Sequence, residues 1–92
     1  MLLVTDKLTA CEDALQGARL EAGTAWDRYE GARAAFDAAG KAEGWQQVPD
    51  AVKLAMLAAV DALYEAYRDA FAHEGAVREQ VMDARVDAVM TR

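Results

Sequence analysis

One periodicity dominates this chain. From Leu8 onward, apolar and small residues recur on a seven-residue cycle. Leu8, Leu15, Ala22, Tyr29 and Phe36 hold its first position, and Cys11, Ala18, Ala25, Ala32 and Ala39 hold its fourth. None of these ten sites is charged. A seven-residue hydrophobic cycle is two turns of an α-helix, so it gathers all ten side chains into one stripe that a neighbouring helix must cover. The expected helix runs from about residue 5 to 39, roughly 50 Å at 1.5 Å per residue. Thr5 or Thr9 could open it, and Thr9 has Glu12 at the spacing of a capping box. Most fourth positions are alanine, so a partner helix can approach closely while each layer buries little area. Gly17, Gly23 and Gly31 lie outside the stripe and weaken the helix. Packing, rather than propensity, must hold it.

The segment 40–49 reads as the loop. Gly40 and Gly44 end the first helix, with Gly40 as the expected left-handed residue after its last turn. Val48 is pushed toward extended backbone by the proline that follows it. Pro49 then suits the first turn of a second helix, and Asp50 suits its positive end. That helix is expected over about 50–91. Val52, Met56, Val60, Leu63, Tyr67 and Ala70 make one face, widened by Leu57, Tyr64 and Phe71. Val77, Val81, Ala84 and Ala88 continue it. Gly75 is the weak point, a kink or a break into a third helix, although Glu74 and Arg78 form an i,i+4 pair across it. Met82, Val86 and Val89 form a second stripe on the other side.

The fold class is therefore all-α: an antiparallel two-helix hairpin forming a single domain over 1–92. Apolar residues on two faces of the second helix, with Leu20 and Trp26 outside the first stripe, leave surface that wants covering. Dimerisation into a helical bundle would cover it. A chain of 92 residues buries a modest core, which makes self-association a common remedy.

Charge narrows the partners. The net charge is −6, from ten basic and sixteen acidic residues. Phosphate binding needs a basic face, so direct nucleic-acid binding is not expected. The acids do not cluster: residues 1–50 hold nine acids and five bases, and residues 51–92 hold seven and five. Met1-Leu2-Leu3-Val4 is too short for a signal peptide, and no window approaches a transmembrane length. Cys11 cannot form an internal disulfide. A cytoplasmic protein without a membrane role is the expected setting.

Catalytic and metal chemistry find little footing. Asp61, Glu65, Asp69 and His73 rise along one helical face, but this reads as a solvated acidic stripe. The Glu-x-x-His pairs of a bundle di-metal site are missing. The chain has no serine, one cysteine and one histidine, so Cys11 with His73 would be the sole nucleophile–base pair, and Cys11 sits on the dry stripe. The Gly40–Gly44 segment follows a helix and lacks the lysine-threonine ending of a phosphate loop. Neither a cofactor, a metal nor an enzymatic activity is expected. The layout of two long helices resembles the Trp-x-Gly hairpin proteins of type VII secretion. The loop, however, reads Gly44-Trp45-Gln46-Gln47, without glycine at that spacing, and the tyrosine-based export signal is missing after the second helix, so the chain is not assigned to them.

The function expected from these residues is protein–protein interaction or assembly: a hairpin that self-associates, as a homodimer or higher oligomer, and presents a surface to a protein partner. Leu8, Leu15, Tyr29, Phe36, Met56, Val60, Leu63 and Tyr67 are its seam. Trp26, Trp45, Met82, Val86 and Val89 are its interface candidates. Trp45 is either a tip anchor or a plug folded onto Phe36 or Val52. One alternative is a small acidic inhibitor from a phage or mobile element that blocks a host nucleic-acid-binding complex, in the manner of anti-CRISPR proteins. A second is a helical oligomer that binds a small ligand between subunits.

Overall fold

The computed structural model describes residues 4–90. It contains two long helices, α1 (Val4–Lys41) and α2 (Asp50–Met90), joined by a loop with one 3₁₀ turn at Trp45–Gln47. The apolar start Met1-Leu2-Leu3 and the expected end of the second helix at residue 91 lie outside the described residues.

The seven-residue cycle organises the pairing. All ten α1 stripe residues, from Leu8 to Ala39, are buried or half-buried. On α2 the covered positions are 53, 56, 60, 63, 67, 70, 74, 75, 77, 81, 84 and 88, stepping alternately by three and four apart from Gly75. Two heptad stripes facing each other in opposite directions make an antiparallel coiled-coil hairpin. Contacts fix the register: Glu12 meets Arg85, Arg19 meets Glu74, and Trp26 meets Tyr67.

The core divides into two halves. Away from the loop, Leu15, Ala18, Ala22, Val77, Val81 and Ala84 are buried, and Val81 is 1% exposed. Alanine has no side chain beyond Cβ, so the helices close there into a dry aliphatic layer. Toward the loop the layers are aromatic. Tyr29 stacks on Tyr64 at 5.1 Å and Trp26 on Tyr67 at 4.8 Å, in tilted pairs favoured by ring quadrupoles. Two helices cannot enclose rings this large, and these remain half-covered.

Several sequence expectations are corrected. Val52 is not on the inner face: it is exposed, and Lys53 takes its place. The step of three from 53 to 56 preserves the heptad, whereas 52 to 56 does not. Gly75 does not break α2 into a third helix; the helix runs through it as one element. Continuous packing of Val77, Val81 and Ala84 on α1 outweighs the glycine's low propensity. Gly40 lies inside α1; the left-handed residue is Gly44, at φ 87°. Thr9 sits within α1 instead of capping it, and Glu12 accepts a hydrogen bond from Arg85. Pro49 stands just before α2, its carbonyl accepting from the amides of Val52 and Lys53, while Val48 is extended as expected. Met82 and Val89 do not lie on a side opposite Leu57, Tyr64 and Phe71. Each of the five follows directly after a covered position, so helical geometry turns all of them the same way.

The shape has an energetic consequence. A compact protein of this mass would expose about 5,200 Å² with a radius of gyration near 12 Å. The hairpin exposes 7003 Å², has a radius of gyration of 20.4 Å and measures 69 × 19 × 16 Å. It retains roughly 1,750 Å² of surface that a globular arrangement would bury.

Candidate functional site

The exposed apolar side chains concentrate on α2. Eleven large hydrophobic residues are exposed among the described residues, and nine belong to this helix. Six of them, Leu54, Leu57, Tyr64, Phe71, Met82 and Val89, each follow directly after a covered position. One residue is about 100° of helical rotation, so these side chains form a second heptad stripe, turned a quarter circle from the first. The same step on α1 gives Glu12, Gln16, Arg19, Gly23, Glu30, Arg33 and Asp37, with Trp26 the sole large apolar residue. The two flanks lie on one side of the hairpin, because Trp26 reaches Tyr67 and Glu12 reaches Arg85 there. Arg19, Gly23, Trp26, Phe71 and Glu74 line a shallow hollow along this side.

Aromatic contacts preorganise the patch. Trp26, Tyr29, Tyr64, Tyr67 and Phe71 form a chain of rings with centroids 4.8 to 6.3 Å apart. Arg33 donates to the Tyr29 hydroxyl at 3.5 Å. Such rings offer large contact area with few rotatable bonds.

A charged layer bounds the aromatic half. Glu74 occupies a stripe position, and its side chain is 12% exposed. Its carboxylate meets Arg78 at 3.0 Å and Arg19 across the helices at 3.6 Å. A carboxylate at such a position tolerates one helix register and one orientation better than others. Sequence reading found the Glu74–Arg78 pair and missed Arg19. The signal was available, since continuing the heptad from Met56 puts residue 74 on the seam.

The remaining expected residues fall as follows. Leu15 is buried, while Leu8, Tyr29, Phe36, Met56, Val60, Leu63 and Tyr67 are half-buried in the seam. Trp45 is half-buried, edge-on to Phe36 at 5.8 Å, with the Lys53 ammonium 5.0 Å from its ring centre. It therefore folds onto Phe36 as a plug. Met82, Val86 and Val89 are exposed, with Val86 and Val89 beside Met90 on an apolar surface.

Among the described residues no three His, Cys, Asp or Glu side chains come together as a metal-binding group. Asp61, Glu65, Asp69 and His73 are exposed. Cys11 packs beside the Leu15–Val81 cluster and shares a surface hollow with Gln80, Asp83 and Ala84. His73 is thus roughly 16 Å further along α2 from Cys11's level. A hollow of about 400 Å³, lined by residues 40–47, is open to solvent at the loop. No described helix is long and apolar enough to cross a membrane. Comparison with known proteins finds no matching family, no matching curated protein and no matching solved structure.

Proposed function

We propose that this chain is a cytoplasmic, non-catalytic assembly module: a helical hairpin that self-associates and offers its remaining surface to a protein partner. One observation carries the reading. Among the described residues eleven large hydrophobic side chains stand exposed against six buried residues, and six of the nine exposed on α2 lie on one heptad stripe. A random scatter of surface leucines needs no explanation, whereas large apolar residues aligned along one helix flank, with charged residues set among them, mark a contact surface. The surplus of roughly 1,750 Å² exceeds the 800 Å² or so that each partner contributes to a standard interface. One face can therefore serve self-assembly while Val86, Met90 and Leu20 stay available. The net charge of −6 keeps such an assembly soluble and directs it away from nucleic acid.

Sedimentation equilibrium across the micromolar range tests the reading. The expected result is reversible dimerisation. A strictly monomeric mass at every concentration removes the self-association, and failure of purified oligomer to retain any protein from its native host removes the adaptor role.

A further inference from the structure

We infer that the partner on the second stripe is another copy of this chain, seated with α2 antiparallel against α2 so that Arg78 of one copy faces Asp61 of the other; this rests on the self-assembly reading above.

The geometry starts from the quarter turn between the stripes. In a four-helix bundle each helix packs against two neighbours roughly a right angle apart. Helix α2 carries its seam and, at that separation, a mixed stripe with six large apolar residues, whereas the corresponding flank of α1 has Trp26 alone. The contact between copies is therefore α2 on α2, with Trp26 at its margin.

Charge selects the direction. The second stripe also contains Asp61, Arg68, Gly75, Arg78 and Arg85. Parallel packing would bring each of its four charged residues against its own copy, stacking like charges in every such layer. Antiparallel packing avoids this.

Charge also selects the register. Two alignments bring Asp61 opposite an arginine across the second stripe. With Asp61 opposite Arg85, Arg68 meets Arg78, which is repulsive. With Asp61 opposite Arg78, Leu57 meets Met82, Tyr64 meets Gly75 and Arg68 lies over Phe71. Large then faces small, apolar faces apolar, and a guanidinium lies on an aromatic ring. Arg85 faces Leu54 with its alkyl stem while its head stays on Glu12 of its own chain, at 3.5 Å. By two-fold symmetry each pairing occurs twice. The overlap covers residues 54–85, roughly 48 Å of helix at 1.5 Å per residue.

The test exchanges the charges. Asp61→Arg alone and Arg78→Glu alone each create two like-charge contacts in the dimer. Each should weaken self-association by roughly tenfold or more. Mixed in equal amounts, the two variants pair Arg with Glu and Arg with Asp, so native mass spectrometry should show the mixed dimer dominating both homodimers. Asp61 is exposed, so helix content and melting midpoint of Asp61→Arg by circular dichroism should match the parent. Arg78→Glu also breaks the bond to Glu74, so its helix content should be retained at a lower midpoint, and the mixed dimer separates lost pairing from lost stability. Ala66→Lys, on the opposite flank, should leave the dimer intact and guards against a general effect of charge. A parent dimer indifferent to both exchanges, or broken by Ala66→Lys, overturns the face assigned here while self-assembly stands. Weakened single variants that fail to form the mixed dimer overturn the register. A parent that never dimerises overturns both this arrangement and the self-assembly reading.

Discussion

Among the described residues Val81 is the most deeply placed side chain, 1% exposed where α1 and α2 lie against each other. Val81→Ala removes two methyl groups from that layer, worth about 1.6 kcal/mol at 0.8 kcal/mol each, and a partly collapsed cavity adds about 1 kcal/mol. Alanine's better helix propensity returns about 0.5 kcal/mol, leaving a net loss near 2 kcal/mol. A domain of this length is stable by roughly 5–14 kcal/mol, and an elongated hairpin belongs at the low end. The midpoint of thermal unfolding should accordingly fall by about 8–16 °C. The matched control is Val89→Ala, the same chemical change at a residue 66% exposed, where the effect should stay within about 0.5 kcal/mol. Far-UV circular dichroism melts in dilute solution measure both. Equal losses at Val81 and Val89 would refute the packing, because the inner and outer faces of α2 would then be indistinguishable.

Further changes probe the backbone and the charged layer. A Cβ at Gly17 or Gly31 meets nothing within 4 Å, so Gly17→Ala and Gly31→Ala should each stabilise by up to about 1 kcal/mol; a lower melting midpoint would mean those positions face something. Gly44 has φ 87°, and Gly44→Ala should destabilise by about 1 kcal/mol in chemical denaturation despite open space around it. Trp45→Ala removes a half-buried ring from Phe36 and Lys53; a loss near 2 kcal/mol is expected, and no loss would show that the loop does not close the hairpin. Glu74→Leu replaces a largely covered carboxylate by an apolar side chain and should raise the melting midpoint. A fall instead would mean that the bonds to Arg19 and Arg78 outweigh the carboxylate's desolvation.

The first seam was legible because it obeys a rule that needs no tertiary information. Ten uncharged positions at one period leave little freedom in α1, and the structure covers all ten. Helix α2 was harder because two of its seam positions are Lys53 and Glu74. Hydrophobicity alone moves the stripe one residue early, onto Val52, and passes over Glu74. Each has a partner on another element, Trp45 for Lys53 and Arg19 for Glu74, the latter beside its local bond to Arg78. A local pattern cannot anticipate such partners. The glycines erred similarly. Gly40 has the composition of a helix end, but the turn that reverses the chain has its left-handed residue at Gly44.

The second stripe of α2 was visible in pieces. Leu57, Tyr64 and Phe71 read as a widening of the inner face, and Met82 and Val89 as a separate patch at the far end. Only the correct phase of the first seam joins them, since each residue is then the successor of a seam residue. That phase depends on accepting Lys53 and Glu74 as inward positions. The physical reason is general: a helix with two heptad stripes a quarter turn apart has apolar residues over about half its circumference, and hydrophobicity cannot divide that half between two neighbours. Contacts divide it. Once α1 takes the residues at 56, 60, 63 and 67, what α2 has left is ordered surface. Leu54, Leu57, Tyr64, Phe71, Met82 and Val89 share with Asp61, Arg68, Gly75, Arg78 and Arg85 a row that alternates by three and four, the spacing that another helix would require.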